Sequence, residues 1–216
     1  MVKVWNVKKY DEENVNEISK KYDISTNLAK LILSRDIEDI DMYLNGDISY
    51  LRDPYLLKDM DKFVSRVKQA VEKKEKICIY GDYDVDGITS ITIMYKFLNS
   101  LGLDVIYYLP DRVLEGYGMN NTAIDYIKSQ GVSLVITVDC GISNNAEIAY
   151  ANELGIDTII VDHHNPPEVL PDAAVIINPK LEECDYPFKD ISGCAVAYKL
   201  VSALRFSQSN LYKQDI

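Results

Sequence analysis

Along most of the chain, short continuous runs of apolar residues alternate with longer stretches in which apolar residues recur every three or four positions. The short runs are typical of buried strands, and the longer stretches are typical of amphipathic helices. This alternation predicts right-handed βαβ units and a doubly wound, mostly parallel, Rossmann-like α/β sheet. The predicted elements are strands at 76–80, 104–109, 133–138, 158–161 and 174–177, and helices at 57–74, 88–101, 122–130, 144–154 and 195–205.

The amino-terminal quarter of the chain has a different texture. It is rich in charged residues, contains a single glycine and shows helical spacing of its apolar positions. The pattern predicts short helices at 14–22, 26–33 and 37–44, with Asp and Ser residues as caps. We therefore expect a small helical appendage over residues 1–55 and an α/β domain over residues 56–216.

The composition of the chain bears on its partners and on its location in the cell. The chain has 34 Asp and Glu against 23 Lys and Arg, a net charge of −11, so bulk charge does not favour nucleic-acid binding. Any such contact is expected to be local, mediated by a metal, or made by parts of the protein outside this sequence. No apolar run reaches the length of a membrane span, and the start of the chain lacks the apolar core of a signal peptide. The 4 cysteines form no CxxC pair, so we expect reduced thiols, no membrane contact and a cytoplasmic location.

Acidic and imidazole side chains gather where the predicted strands end. The first strand leads into Asp82, Asp84 and Asp86, the third leads into Asp139, and the fourth leads into VDHHN, which holds both histidines. Ligands of doubly wound sheets bind beyond the carboxyl ends of the strands, so we expect these groups to share one crevice. If the loop after the first strand stays extended, its three aspartates share a face, because residues two apart point the same way.

Four carboxylates within a few ångströms cannot all stay ionised unless a cation lies among them. Carboxylates with one or two imidazoles suit Mn²⁺ or Mg²⁺, and the nitrogen ligand favours Mn²⁺. This many ligands favours two ions about 3.5–4 Å apart, a pair that binds phosphoryl oxygens and activates water.

Each of these residues also has a simpler explanation. An aspartate after a strand often caps the next helix, and an aspartate before a glycine is often a turn residue. Asp162 is expected to orient a histidine or to cap the local turn rather than to bind a metal. Of the adjacent histidines, one could bind metal while the other faces a substrate phosphate.

Three motifs resemble those of the DHH phosphoesterase superfamily. DYDVDG (82–87), VDCGIS (138–143) and VDHH (161–164) are similar to its first three motifs, in order and at comparable spacing. GDYDVDGITS, LPDRVLEGYGMN and ISGCAVAYKL further resemble segments of the RecJ family of bacterial single-strand-specific DNA exonucleases. Tyr80 stands where other superfamily members have a histidine, so Asp82 would substitute as a ligand.

The resemblance implies a metal-dependent 5′→3′ exonuclease that hydrolyses single-stranded DNA to 5′-mononucleotides, in DNA repair and recombination. Two ions, Mn²⁺ or Mg²⁺, would be bound, with Asp139 bridging them. His164 would contact or polarise the scissile phosphate, and Asp86 and Asp139 would complete the catalytic set. By this resemblance the ligands of one ion are Asp86, Asp139 and His163, and those of the other are Asp82, Asp84 and Asp139.

The same resemblance suggests residues that contact the substrate. Arg112 would hold the 5′-terminal phosphate or the adjacent backbone, because its planar fork suits phosphate oxygens. Tyr117 would stack on a base. The backbone N–H groups of Ser192 and Gly193, which open a helix, would bind an anion. The simpler explanations are a solvated loop charge, loop packing and an ordinary helix cap.

The chain departs from the family pattern near its carboxyl end. Asp215 is the only acid after the last predicted helix, and its surroundings do not resemble the fourth motif of the superfamily. The second lobe and the oligonucleotide-binding domain of RecJ proteins are also not found. We therefore expect a DHH domain truncated before the fourth motif, with weak or no nuclease activity of its own. Helicase and single-strand-binding proteins are the partners that the resemblance suggests.

Two other functions are compatible with the sequence. A DHH phosphodiesterase would act on cyclic dinucleotides or very short oligonucleotides rather than on long DNA. A regulatory module that only binds nucleotides would be expected to lose the metal ligands, which are all present. The first βα turn also lacks the GxGxxG pattern of dinucleotide-binding sheets.

Overall fold

A computed structural model describes residues 8–211, and for residues 206 and 208–211 it describes the backbone alone. Asp215 lies outside the described residues. The chain divides into two compact units, the first ending at Arg52 and the second beginning at Asp53.

The first unit consists of short helices, and the three predicted α-helices are confirmed. Each begins just after a polar residue whose side chain accepts a hydrogen bond from the first turn, namely Asp11, Ser25 and Asp39. The third helix begins later than predicted because Asp39 acts as its cap. The helices are α1 (Glu12–Tyr22), α2 (Thr26–Ser34) and α3 (Ile40–Asn45), followed by a 3₁₀ turn at Ile48–Tyr50.

The second unit contains all five predicted strands and all five predicted helices. Its strands are all parallel, in the order β2-β1-β3-β4-β5, so the predicted doubly wound sheet is confirmed. The strands are β1 (Ile77–Gly81), β2 (Val105–Tyr108), β3 (Leu134–Val138), β4 (Asp157–Val161) and β5 (Val175–Ile177). The helices are α4 (Met60–Lys73), α5 (Val85–Ser100), α6 (Asn121–Ser129), α7 (Asn145–Glu153) and α8 (Gly193–Leu211), with a 3₁₀ turn at Pro54–Leu56.

Helices cover both faces of the sheet. Ile77 and Ile79 of β1 pack in one apolar cluster with α4, α5 and α8, whereas Cys78 and Tyr80 pack in a second cluster with α6 and α7. Successive residues of a strand point to opposite faces, so a strand covered on both faces must be apolar throughout. This burial explains why β1 and β3 appear in the sequence as unbroken apolar runs.

The strand order reverses between β1 and β3. The chain leaves β1 toward β2 on one side, and the later strands β3, β4 and β5 are added on the other side. Such a reversal opens a crevice at the carboxyl ends of the two central strands, where ligands bind in sheets of this kind. Across residues 8–211, we find no helix both long and apolar enough to span a membrane.

Candidate metal centre

Acidic and imidazole groups from three strand ends meet in this crevice. Asp82, Asp84 and Asp139 each offer a ligand atom within 4.8 Å of the others, and so do Asp139, His163 and His164. Asp139 belongs to both groups. The predicted convergence of the segments after β1, β3 and β4 is therefore confirmed.

The loop after β1 does not stay extended, so the condition under which its three aspartates would share a face is not met. Helix α5 begins at Val85 rather than at position 88, because the Asp84 carboxylate accepts a hydrogen bond of 2.9 Å from the Gly87 N–H. Asp84 thus caps a helix and also belongs to the acidic group. Asp86 lies in the first turn of α5, and its Oδ2 atom is 3.6 Å from Nε2 of His163. A helical turn, rather than an extended face, brings Asp86 to the site.

Asp139 is the most constrained carboxylate of the site. It is 2% exposed and has a φ of 60°, a left-handed conformation that Asp and Asn tolerate better than most residues. Its Oδ1 atom is buried and accepts no hydrogen bond of good geometry from any described residue, although Nε2 of His163 lies 2.9 Å away. Burial raises the pKa of Asp139 above its ordinary value, although the proximity of His163 opposes this effect. A buried, unsatisfied carboxylate oxygen is costly unless a cation binds it.

His163 is oriented by the backbone. Its Nδ1 atom is 2.9 Å from the carbonyl oxygen of Ile191, which can only accept, so Nδ1 carries a proton. In the neutral ring, Nε2 then presents a lone pair to the carboxylates of Asp86 and Asp139. That arrangement is repulsive unless the ring takes a second proton or a cation lies between the groups. The first case agrees with the pKa of His163, which the nearby Asp139 carboxylate raises above its ordinary value. In the second case the three groups would bind a metal ion.

Asp162 holds the loop that carries both histidines. Its Oδ1 atom accepts the backbone N–H groups of His163 and His164 and lies 2.7 Å from Nδ1 of His164, while Oδ2 accepts the N–H of Ile142. Burial raises the pKa of Asp162, but the hydrogen bonds from His164 and Ile142 outweigh it and leave the pKa lowered. The predicted orienting role of Asp162 is confirmed. His164 remains half-exposed, and no described residue donates to or accepts from its Nε2 atom.

Arg112 and Tyr117 lie at the rim of this site. The Tyr117 hydroxyl is 3.3 Å from Nδ1 of His164 and 3.4 Å from the carbonyl oxygen of Asp139. The Arg112 guanidinium lies 5.4 Å from the centre of the Tyr83 ring. Burial raises the pKa of Asp82, and the positive charge of Arg112 is among the influences that oppose this rise. Both residues are placed where a substrate could reach them, and their roles toward substrate remain predictions.

The helix start at Ser192 and Gly193 already holds an anion from the same chain. The N–H groups of Gly193 and Cys194 donate to Oδ2 and Oδ1 of Asp86, each at 2.7 Å. Ser192 accepts the N–H of Ala195 as a cap. The predicted substrate contact of Ser192 and Gly193 stays a prediction, because in this structure the carboxylate bound there is Asp86.

The supporting roles of two residues, Tyr80 and Asn178, were not predicted from the sequence. Tyr80 is fully buried and donates its hydroxyl to the carbonyl oxygen of Gly118, which ties the Tyr117 loop to β1. Asn178 is fully buried just after β5, where it donates to the carbonyl oxygen of His164 and accepts the N–H of Lys180. The signal for Asn178 was its position at the carboxyl end of a strand, the same signal that pointed to Asp139.

The donor set suits a hard divalent cation. Carboxylate oxygens with one imidazole nitrogen match the preferences of Mn²⁺ and Mg²⁺, and the unsatisfied Oδ1 of Asp139 marks a place where a cation would be stabilising. The residues present therefore fit the predicted metal.

Comparison with known sequences agrees with this picture. Residues 76–216 match the DHH family, N-terminal domain. The chain is 41% identical over 203 residues to the single-stranded-DNA-specific exonuclease RecJ of Bacillus subtilis (strain 168), covering 93% of this chain and 26% of that protein. It is 42% identical over 150 residues to the RecJ of Salmonella typhimurium, covering 69% of this chain and 26% of that protein. The chain thus spans about a quarter of the length of these curated relatives.

Solved structures show the same fold. A crystal structure of exonuclease RecJ bound to manganese is similar with a TM-score of 0.65 and 33% identity, covering 70% of this chain and 38% of that chain. RecJ in complex with Mn²⁺ from Thermus thermophilus is similar with a TM-score of 0.67 and 26% identity, covering 93% of this chain and 28% of that chain. With the family match spanning well over half of its residues, and with the motif residues gathered in one crevice, the chain belongs to the DHH family.

Proposed function

We propose that this chain is the metal-binding lobe of a 5′→3′ exonuclease that hydrolyses phosphodiester bonds of single-stranded DNA to 5′-mononucleotides, in DNA repair and recombination. The observation that carries the proposal is the pair of ligand groups joined at Asp139, whose buried Oδ1 oxygen is unsatisfied among the described residues. The similarity to single-stranded-DNA-specific exonucleases supports the substrate class. In domain terms, residues 1–55 form a helical appendage and residues 56–216 form the DHH domain.

The proposed cofactor is a pair of Mn²⁺ or Mg²⁺ ions. RecJ structures that resemble this chain contain manganese, which supports the choice of metal. Bound divalent cations supply positive charge to phosphoryl oxygens and lower the pKa of water. The proposed ligands are Asp86, Asp139 and His163 for one ion, and Asp82, Asp84 and Asp139 for the other.

The other residues of the crevice would bind and orient the DNA. His164 is held at Nδ1 by Asp162, whose hydrogen bond raises the pKa of the imidazole. The protonated ring would then donate its Nε2 N–H to an oxygen of the scissile phosphate. Arg112 would pair with the 5′-terminal phosphate through its planar guanidinium. The half-exposed ring of Tyr117 would stack on a base, a contact typically worth about 1–3 kcal/mol.

The net charge of the chain is consistent with metal binding that precedes DNA binding. With a net charge of −11, the acidic crevice repels phosphate until cations neutralise its carboxylates. We propose that the protein acts in the cytoplasm on single-stranded DNA, and that helicase and single-strand-binding proteins supply or protect that substrate.

Metal binding is tested first, on this chain. In a calorimetric titration with Mn²⁺, the wild type is expected to bind and the Asp86→Ala variant to lose binding. The matched control is Asp104→Ala. This variant removes an exposed aspartate just before β2, at the amino ends of the strands and away from the crevice at their carboxyl ends. The control should bind as the wild type does. Binding that survives Asp86→Ala unchanged would contradict the proposed site.

Substrate and polarity are tested with single-stranded DNA of tens of nucleotides, labelled at its 5′ end, under an excess of protein with Mn²⁺. The proposal predicts that the labelled mononucleotide is the first product and that the same strand in a duplex resists. Hydrolysis of a cyclic dinucleotide, with the long strand left intact, would instead favour the small-molecule phosphodiesterase. The Asp86→Ala protein, purified in parallel, excludes a contaminating nuclease.

A further inference from the structure

One short segment contacts all three proposed ligands of the first ion. The segment runs from Ile191 to Cys194 at the start of α8, and its contacts reach Asp86, Asp139 and His163. These ligands come from three different parts of the chain, after β1, β3 and β4. Nothing in the motifs themselves requires a fourth segment to touch each of them.

The contact with Asp86 fixes both of its oxygens. Gly193 donates to Oδ2 and Cys194 donates to Oδ1, each with a distance of 2.7 Å. Because the two donors belong to the first turn of a helix, they hold the Asp86 carboxylate in one orientation. Each of its oxygens keeps a lone pair that could bind a cation. Asp86 is therefore held in place before any cation arrives.

The contact with Asp139 is steric. A Cβ atom built on Gly193 would lie 2.7 Å from Oδ1 of Asp139 and 2.9 Å from both its Cβ and its Cγ atoms. Asp139 is buried and in a left-handed conformation, so it has little freedom to move aside. Only glycine at position 193 lets α8 approach closely enough to reach Asp86 without displacing Asp139.

The contact with His163 selects a tautomer. The Ile191 carbonyl oxygen lies 2.9 Å from Nδ1, which places the Nε2 lone pair on the side of the two carboxylates. We infer that the Ile191–Cys194 segment positions all three ligands of one metal ion, and that Gly193 is a positioning residue of this site. The inference rests on the proposed function, because it assumes that these three residues bind a metal.

The test compares Gly193→Ala with the wild type by Mn²⁺ calorimetry. Displacement of Asp139 is expected to weaken Mn²⁺ binding by roughly 10–100-fold, the range found when groups that orient metal ligands are removed. The matched control is Gly131→Ala, at a glycine with a positive φ and open space around its missing Cβ. That control should lower the melting temperature, because alanine is strained there, and leave Mn²⁺ affinity unchanged.

A second pair of variants covers the case in which Gly193→Ala fails to fold. Cys194→Pro removes the N–H that donates to Oδ1 of Asp86, at a helical first turn where proline is tolerated. Cys194→Ala removes the thiol and keeps that N–H. Cys194→Pro is expected to bind Mn²⁺ more weakly than Cys194→Ala, with an altered electron paramagnetic resonance spectrum of the bound ion, which reports ligand geometry rather than stability.

The outcomes separate the inference from the proposed function. If the wild type binds no Mn²⁺, the proposed metal site fails and the inference fails with it. If the wild type binds and Gly193→Ala or Cys194→Pro binds equally well with an unchanged spectrum, the metal site stands and the positioning role is overturned. Weakened binding in the site variants, with the two controls unchanged, supports the positioning role.

Discussion

Asp139 and Asp162 are two buried aspartates that follow adjacent strands, and their surroundings are opposite. Asp162 is 1% exposed and accepts hydrogen bonds from the backbone of Ile142, His163 and His164 as well as from an imidazole. Asp139 is 2% exposed and leaves a buried oxygen without a good donor in the described structure. The hydrogen bonds to Asp162 leave its pKa lowered, whereas burial leaves that of Asp139 raised.

The difference in hydrogen bonding suggests different roles for the two carboxylates. A buried charge that the protein fully satisfies supports the fold, because its hydrogen bonds replace its lost hydration. A buried charge left unsatisfied costs stability and is kept where an external cation completes it. Asp162 therefore belongs to the framework that holds the histidines, and the unsatisfied oxygen of Asp139 supports the proposal that Asp139 binds metal.

The largest expected effect is that of Asp139→Asn on metal binding. Asparagine is similar in size and also tolerates the left-handed conformation at this position, so the fold should be retained. Loss of the shared carboxylate is expected to weaken Mn²⁺ binding by at least about 100-fold, beyond the usual effect of changing a residue that only orients a ligand. Without metal, the free energy of unfolding should be equal to or higher than that of the wild type, because a buried charge with an unsatisfied oxygen has been removed.

Calorimetry with Mn²⁺ and urea unfolding in the presence of a chelator give the two readouts. A variant that binds Mn²⁺ normally would show that Asp139 is not a ligand. A clear loss of stability without metal would show that Asp139 is satisfied by the protein, as Asp162 is, and the contrast between the two residues would disappear.

The next largest effect is that of Asp162→Asn, which should act on the fold first. The new amide nitrogen would face the N–H of Ile142 or the donors of the histidine loop, so a donor would meet a donor. We expect the free energy of unfolding to fall by about 1.5–3 kcal/mol, the usual range for hydrogen bonds to charged groups. Urea unfolding without metal checks this, with Asp172→Asn at an exposed position as the control. Stability equal to that of the wild type would contradict the framework role.

The sequence was sufficient to predict the sheet and the meeting of its strand ends. Apolar runs such as Ile77–Gly81 are local signals of buried strands, and parallel packing then places Asp82, Asp139 and His163 at one edge without further information. The sequence also predicted carboxylates and imidazoles as the candidate ligands, because both histidines and four of the aspartates directly follow predicted strands.

The part that sequence could not supply is the support around these groups. From the sequence, Asp84 could be a helix cap or a member of the acidic group. In the structure it caps α5 and also lies in the group with Asp82 and Asp139. The bond from Gly193 to Asp86 joins residues 107 positions apart through a backbone N–H, which leaves no mark in the side-chain pattern. The same holds for the Ile191 carbonyl oxygen that orients His163.

The smallest expected effect is a difference in the pH dependence of stability of the metal-free protein. A raised pKa makes the folded state keep its proton longer than the unfolded state, so Asp139 costs stability as the pH rises from about 3.9, the unfolded value, through its raised folded value. A lowered pKa has the opposite sign, so the stability that Asp162 contributes is present above about 3.9 and is lost as the pH falls toward its folded value. The advantage of Asp139→Asn should therefore grow above that pH, whereas the penalty of Asp162→Asn should shrink below it. Urea unfolding of both variants and the wild type across this range, with a chelator present, measures the two slopes. Slopes of the same sign in the same pH window would show that the two aspartates are held alike and that the metal site lacks its unsatisfied carboxylate.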